Sequence, residues 1–394
     1  MLRFLIRRFI PDCEDLSDPR VRRAYGTLCS GMGIALNLLL SCLKLLAGLF
    51  SGSIAVTADG FNNLSDAASS TITMAGFRIS GKGDDTEHPF GHGRMEYISG
   101  LIVAMVIILM GFELAKTSFS RILHPAHTRL DGLTAGALLL SVSVKIYMFI
   151  YNRRIGTLID SPSMKATATD AISDVMASLA VLFSGIIHLL TGLNTDSWTG
   201  LIISLFILRA GYCAARDTIS PLLGNPPSPE FVRQIEEIVL GQEQIYGMHD
   251  LIVHDYGPGR TIVSLHAEVP ADGSLIELHD LIDETERRLM QQLHIEAVIH
   301  MDPVYTRDEN TVNLKNSIAA ALSAEIDPRI TIHDFRLSAC ASRGNVLFDA
   351  VIPYGLNRTD EAIIKDINSV VRNLDKNLSP VVTLEHSYIS ETRN

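Results

Sequence analysis

Apolar and polar residues fall into two regimes along the chain. Between about 25 and 220, apolar runs of about 20 residues or more follow one another with short polar breaks. Each run is long enough to cross the hydrocarbon core of a bilayer as a helix. Six spans are expected, at 25–50, 54–79, 97–120, 130–151, 165–192 and 197–220. The sequence GNPPSP, from Gly224 to Pro229, marks a boundary, and beyond it shorter periods take over.

The region after the boundary reads helix, strand, strand, helix, strand. A helix at about 229–240 is followed by the strands HDLIVHDY and TIVSLHAEV, a helix at about 275–293 and the strand EAVIHM. In the second strand Val263, Leu265, Ala267 and Val269 alternate with Ser264, His266 and Glu268, the period of a half-buried strand. The pattern then recurs: a helix at about 311–325, the strands ITIHDFRLSA and NVLFDAVIPY, a helix at about 360–377 and the strand VVTLEHSYI. Placing Ile352-Pro353 on Val269-Pro270 superposes Val346, Phe348 and Ala350 on Val263, Leu265 and Ala267, and His333-Asp334 answers His249-Asp250. Two tandem copies of a small α+β sandwich are therefore expected.

Charge assigns an orientation to the spans. Arg78, Lys82 and Arg94 lie between spans two and three, Arg153 and Arg154 between four and five, and Arg216 near the end of six. The opposite loops, 51–53 and 193–196, carry no Lys or Arg, so the positive-inside rule places both termini in the cytoplasm. Lys116, Arg121 and Arg129, around the loop after span three, run against that rule. The formal net charge of −11 belongs to the soluble half, and no basic patch with interleaved aromatics points to nucleic acid. Cys13, Cys29, Cys42, Cys213 and Cys340 form no CxxC pair and support neither a disulfide framework nor a thiolate metal site. The N-terminal MLRFLIRRFI has too short an apolar stretch for a cleaved signal peptide.

The chemistry lies in spans two and five, IAVTADGFNNLSDAASSTITM and MKATATDAISDVMASLAVLF. Asn62 and Asp66 are four residues apart, as are Asp170 and Asp174, so each pair occupies one helix face about one turn apart. A carboxylate at the centre of a span costs roughly 2.5–3.5 kcal/mol on insertion scales, so it marks a functional site with a partner to be named. Facing one another, the four side chains make an all-oxygen cage whose charge a divalent cation would offset. The structural alternative is that these groups pair with each other or with Lys44 of span one. Asp59 is ambiguous between an exit ligand and a local hydrogen bond. Oxygen ligands suit Mn(II), Mg(II) or Ca(II), whereas imidazole and thiolate favour zinc, nickel or copper.

Two further groups have ligand chemistry. The polar loop GDDTEHPFGHGRME holds Asp85, His88 and His92 at three- and four-residue spacings; a solvated loop is the alternative. His249, His254, His266, His279, His294, His300 and Asp302 crowd the first soluble repeat. The GKGD at Gly81–Asp84 mimics the GxGD of intramembrane aspartyl proteases but sits in a polar loop, not within a span. No HExxH or GxSxG is present, so no enzyme is expected.

GSIAVTADGFNNLSD, HPFGHGRME, the DxxxD of span five and HMDP at the end of the first soluble repeat together resemble the cation diffusion facilitator family over about 20–306. The resemblance implies a transport site at Asn62, Asp66, Asp170 and Asp174, a loop site at Asp85, His88 and His92, and a cytoplasmic site at His249, His266, His279, His300 and Asp302. Asn62 and Asp170, where zinc-carrying members usually have His or Asp and His, resemble the manganese-exporting branch. Mn(II) is thus the favoured ion, with Zn(II) or Fe(II) as alternatives. The resemblance also implies a homodimer joined through its cytoplasmic domains, exchanging exported metal for protons by alternating access, in a bacterial cell membrane. The second repeat lies outside the pattern, with Asp349 opposite His266 and Ala362 opposite His279, and reads as mainly structural.

The expected fold is thus a cytoplasmic segment at 1–24, a six-helix transmembrane domain at 25–220, and two tandem ferredoxin-like α+β copies. The first copy, at 228–306, is the metal-binding one; the second covers 311–394. A sensor that binds metal without moving it is the reading from a different class.

Overall fold

The computed structural model describes residues 2–11, 13–14, 18–51, 54–124, 132–191, 195–304, 309–338, 345–353, 356 and 358–386. The chain divides into two compact units, one of residues 1–225 with 255–260, the other of 226–254 with 261–394.

The first unit is helical. A short α1 (Leu2–Phe9) precedes six long helices: α2 (Pro19–Ser51), α3 (Ile54–Ser80), α4 (Met95–Leu123), α5 (Gly132–Leu158), α6 (Pro162–Thr191) and α7 (Asp196–Leu223). Within α2, α4, α5, α6 and α7 lie five segments of 24 to 29 residues apolar enough to cross a membrane. The helix α3 is long enough but does not join them among the described residues. Its middle is polar, with Asn62, Asn63, Ser65, Asp66, Ser69, Ser70, Thr71 and Thr73, which lowers its hydropathy below that of a lipid-solvated helix. The sixth expected span is therefore not marked by its own apolarity. The protein is an integral membrane protein, and the large side chains that face outward from these helices, such as Leu109, Phe112, Phe183, Leu205 and Phe206, are the surface a bilayer covers.

Small residues let the helices approach. A Cβ on Gly100 of α4 would stand 2.9 Å from both the Ser163 backbone of α6 and the Thr218 side chain of α7, so only glycine fits where these three helices meet. The N-terminal end of α6 is fixed locally: Ser161 accepts a hydrogen bond from the Met164 amide at 3.2 Å, with Pro162 next to it, the usual chemistry of a helix start.

The second unit holds α8 (Pro229–Leu240), β1 (Gly247–Asp255), β2 (Thr261–Pro270), α9 (Leu275–Leu293), β3 (Glu296–Val304), α10 (Glu309–Glu325), β4 (Thr331–Ser338), β5 (Asn345–Ile352), α11 (Asp360–Leu374) and β6 (Ser379–His386). They form two three-stranded sheets, ordered β1-β2-β3 and β4-β5-β6, with β2–β3 and β5–β6 parallel. A complete ferredoxin-like domain has two βαβ units and hence four strands. Among the described residues each sheet is preceded by a helix where the extra strand would be, so the expected ferredoxin-like form is reduced to three strands. Val263, Leu265, Ala267 and Val269 pack one core, and Val346, Phe348, Ala350 and Ile352 pack the other. The alternation in β2 and β5 thus drives these residues inward and leaves His266 and Asp349 on the opposite face.

Candidate metal centres

The first centre lies in the helical unit. Asp66 of α3 and Asp170 and Asp174 of α6 each present a carboxylate oxygen within 4.8 Å of the others. All three are withdrawn from the surface: Asp66 and Asp170 are buried and the Asp174 side chain is 11% exposed. Thr73 and Thr167, one to two turns further along, hydrogen-bond across the same two helices at 3.1 Å and hold them together.

Asn62 does not join this group. It is exposed, and the buried amide beside Asp66 is Asn63. Residues 62 and 63 flank the direction of residue 66 by about 40° and 60° on a helix turning 100° per residue, so helical spacing alone favours neither strongly. The neighbours decide: Lys44 of α2 donates to the Asn63 carbonyl oxygen at 2.7 Å, and the Asn63 amide reaches Asp66 Oδ2 at 3.4 Å. Lys44 also donates to Ser141 of α5 at 2.9 Å. The side chain of Asp59 lies outside the described residues.

A residue absent from the sequence reading dominates the electrostatics. Lys145 of α5, 2% exposed, places its ammonium 2.7 Å from Asp66 Oδ2 and 2.5 Å from Asp174 Oδ2. The carboxylates therefore do have a protein cation at hand, and it is Lys145 of α5 rather than Lys44, the lysine weighed as the structural alternative. The signal was available: a lone Lys in the run SVSVKIYMFIY carries the same insertion penalty as the aspartates. The arrangement is a seat for positive charge that Lys145 occupies and that a divalent cation would have to share or take over.

The second centre is the loop between α3 and α4. Asp85, His88 and His92 come within 4.8 Å of one another, as their spacing suggested. Asp85 also accepts from Lys82 at 2.7 Å and from the backbone amides of His88 and Glu87 at 2.8 and 3.1 Å. The Lys82 hydrogen bond, followed by these amides, holds its carboxyl well below the usual carboxylate range.

The third centre is on the first sheet. His249, His266 and Asp302 converge, with Asp302 Oδ2 at 3.2 Å from His249 Nε2 and 2.9 Å from His266 Nδ1. The parallel register of β2 and β3 creates this, setting His266 opposite His300 and Glu268 opposite Asp302. Burial disfavours the His249 imidazolium, but Asp250, Asp302 and Glu268 together outweigh it and raise the pKa. His300 stays exposed beside the group, its ring 4.7 Å from that of His266. His279 is exposed on α9 and pairs at 3.7 Å with Asp283, so it stands apart from the converging ligands. His254 is exposed, and His294 ends α9 in a left-handed conformation.

Asp250 is the further residue that sequence spacing did not select. It has φ of 52°, and Asp334, its counterpart in β4, has φ of 49°. In an ordinary strand His249 and Asp250 would point to opposite faces; the left-handed residue breaks the alternation, so both reach the same group. Asp and Asn tolerate this conformation better than most residues, which suits the HD sequence at both places.

Intramembrane carboxylates converging between helices, joined to a soluble unit with its own ligand cluster, define a transporter of cations. The chain belongs to the cation efflux family: the cation efflux transmembrane domain matches residues 32–223, and the cation efflux protein cytoplasmic domain matches 227–304. Members of this family are transporters, not enzymes. An uncharacterized transporter of Methanocaldococcus jannaschii is 30% identical over 274 residues, 69% of this chain and 96% of the relative. The manganese efflux system protein MneS of Bacillus subtilis is 29% identical over 277 residues, 69% of this chain and 94% of its own length. The cation-efflux pump FieF of Salmonella newport is 26% identical over 297 residues, covering 72% and 95%.

Proposed function

We propose that the chain exports Mn(II) through the seat formed by Asp66, Asp170 and Asp174, exchanging it for protons by alternating access. The observation that carries this reading is the convergence of three carboxylates from α3 and α6 with no His or Cys in the group. An oxygen-only set suits Mn(II) better than Zn(II). Similarity to a manganese efflux protein supports the same choice. The fourth ligand is an amide of α3, Asn62 or Asn63. Closely spaced carboxylates repel when all are ionised, so protons and a divalent cation bind the same oxygens in competition, the requirement for antiport.

In this reading α3 is the sixth span, made tolerable in lipid by burying its polar face against α2, α5 and α6. Both termini are cytoplasmic and the membrane is a bacterial cell membrane. The soluble unit is a pair of tandem copies that joins two chains into a homodimer, and its histidines bind the metal to be exported. Asp85, His88 and His92 bind it at the loop. His279 and His300 complete the cytoplasmic set with His249, His266 and Asp302 by moving on metal binding.

A second reading is export of Zn(II), Fe(II) or Cd(II). It is favoured by the imidazoles of the third centre, which suit softer ions. The deciding experiment is uptake of Mn(II) and Zn(II), measured separately, into proteoliposomes with an imposed pH gradient. Saturable, gradient-dependent Mn(II) flux exceeding Zn(II) flux supports the proposal. Zinc flux alone overturns the metal assignment, and binding without flux of either ion points to a sensor.

A further inference from the structure

The second sheet carries a reduced copy of the ligands on the first. The register sets Asp349 opposite Thr383 and Val351 opposite Glu385, as it sets His266 opposite His300 and Glu268 opposite Asp302. With Ile352-Pro353 on Val269-Pro270, His333, Asp349 and Glu385 occupy the places of His249, His266 and Asp302. Thr383 and Ala362 replace His300 and His279 and have no strong donor to offer. What survives is the inner His–carboxylate pair: His249 Nε2 lies 3.2 Å from Asp302 Oδ2, and His333 Nε2 lies 3.1 Å from Glu385 Oε2.

Asp250 of the first sheet faces this second pair. Its Oδ1 is 3.7 Å from His333 Nε2, the nitrogen that also pairs with Glu385 Oε2 at 3.1 Å. The rings of His249 and His333 stack at 4.1 Å, and their side chains are each 9% exposed. His249 Nδ1 is 3.3 Å from Asp250 Oδ2 but misaligned, so neither nitrogen of this buried ring has a hydrogen-bond partner among the described residues. A buried donor or acceptor left unmade costs about 1–3 kcal/mol. His249, Asp250 and His333 each offer a ligand atom within 4.8 Å of the others, and the nitrogens of His249 are left without hydrogen-bond partners among the described residues, an arrangement suited to an ion that bonds to all three.

We propose that Asp250, His333 and Glu385, with His249 Nδ1, form a divalent transition-metal site joining the two sheets, separate from the group centred on His266 and Asp302. Two imidazoles and two carboxylates suit Mn(II), Fe(II), Co(II) or Zn(II). A neutral imidazole has one lone pair, so His249 serves either this site or its neighbour. The second repeat is then a ligand-bearing element as well as a structural one. The site does not depend on which ion the membrane helices carry.

The test titrates the purified full chain in detergent with Co(II) alone, counting bound equivalents by calorimetry and following the visible d–d absorption. It is run in an Asp66→Asn background to weaken the intramembrane seat. Glu385→Gln and His333→Gln are each expected to bind one equivalent fewer than the background protein. His266→Gln is expected to keep that equivalent. Unchanged stoichiometry and spectra in both second-sheet variants overturn the proposal. If circular dichroism shows that His333→Gln has lost its fold, Glu385→Gln, at a half-exposed position, decides alone. Flux separates this result from the transport reading: wild-type chain that binds the equivalent but moves no metal sinks transport and leaves the site standing.

Discussion

The ammonium of Lys145 lies 2.7 Å from Asp66 Oδ2 and 2.5 Å from Asp174 Oδ2, so one lysine of α5 bridges the carboxylates of α3 and α6. The three aspartates and the two lysines, Lys44 and Lys145, leave this buried network with an excess of one negative charge (three minus two) among the described residues.

Replacing Lys145 with Gln is expected to tighten cation binding and slow its release. A unit charge 4 Å away is worth about 4 kcal/mol at an effective dielectric of 20, and tenfold in affinity takes only about 1.4 kcal/mol. A KM for Mn(II) at least about tenfold lower, with a reduced maximal flux, is the expected pair of changes in proteoliposomes. A KM that rises or stays put would show that Lys145 is only structural.

Asp66→Asn and Asp174→Asn are expected to reduce flux to the level of empty liposomes while the chain still folds. Each keeps the shape of the side chain and removes the charge that a divalent cation needs. Wild-type flux from either variant removes the intramembrane seat from the mechanism.

Asn62 and Asn63 compete for the role of fourth ligand. Asn63→Ala removes one acceptor of Lys44 and a donor to Asp66, so it is expected to lower both thermal stability and Mn(II) affinity. Asn62→Ala should leave stability unchanged, and a loss of Mn(II) affinity in it identifies Asn62 as a ligand. Asn62→His combined with Asp170→His is expected to shift preference toward Zn(II); an unchanged Mn(II)/Zn(II) flux ratio would falsify the assignment of selectivity to these two positions.

Arg22 of α2 and Glu96 of α4 form a buried ion pair, and Glu96 is fully enclosed. Arg22 also donates to the Ile159 carbonyl at 2.8 Å, tying α2 to the end of α5. Arg22→Met leaves Glu96 charged and unpaired, and the expected cost is about 3–5 kcal/mol. The double variant Arg22→Met, Glu96→Leu should recover most of it, as read by thermal unfolding in detergent. No recovery would place the effect in the Ile159 contact instead.

Much of the soluble unit was legible in the sequence because its signals are local. Alternation in β2 named Val263, Leu265, Ala267 and Val269 as core, and the repeat placed Val346, Phe348 and Ala350 beside them in role. The helix α9 covers the range its pattern indicated, between Ser274 and the left-handed His294. Asp85, His88 and His92 were equally readable, since a short loop closes on itself with few alternatives. The three-strand form of each sheet was contained in the order of elements, which begins with a helix.

The sequence by itself determined that carboxylates sit within helices bound for a membrane, and that such groups need a positive partner. It could not determine which partner. Lys145 is 79 residues from Asp66 and 29 from Asp174, and only helix packing brings the three together. The choice between Asn62 and Asn63 likewise depends on where Lys44 and Ser141 stand, not on the 100° step of α3. His333 belonged to a repeat that read as mainly structural until tertiary structure set it between Asp250 and Glu385. Periodicity fixes which face of an element a residue occupies; what that face meets is a long-range matter, decided by packing and by charges that find each other across the chain.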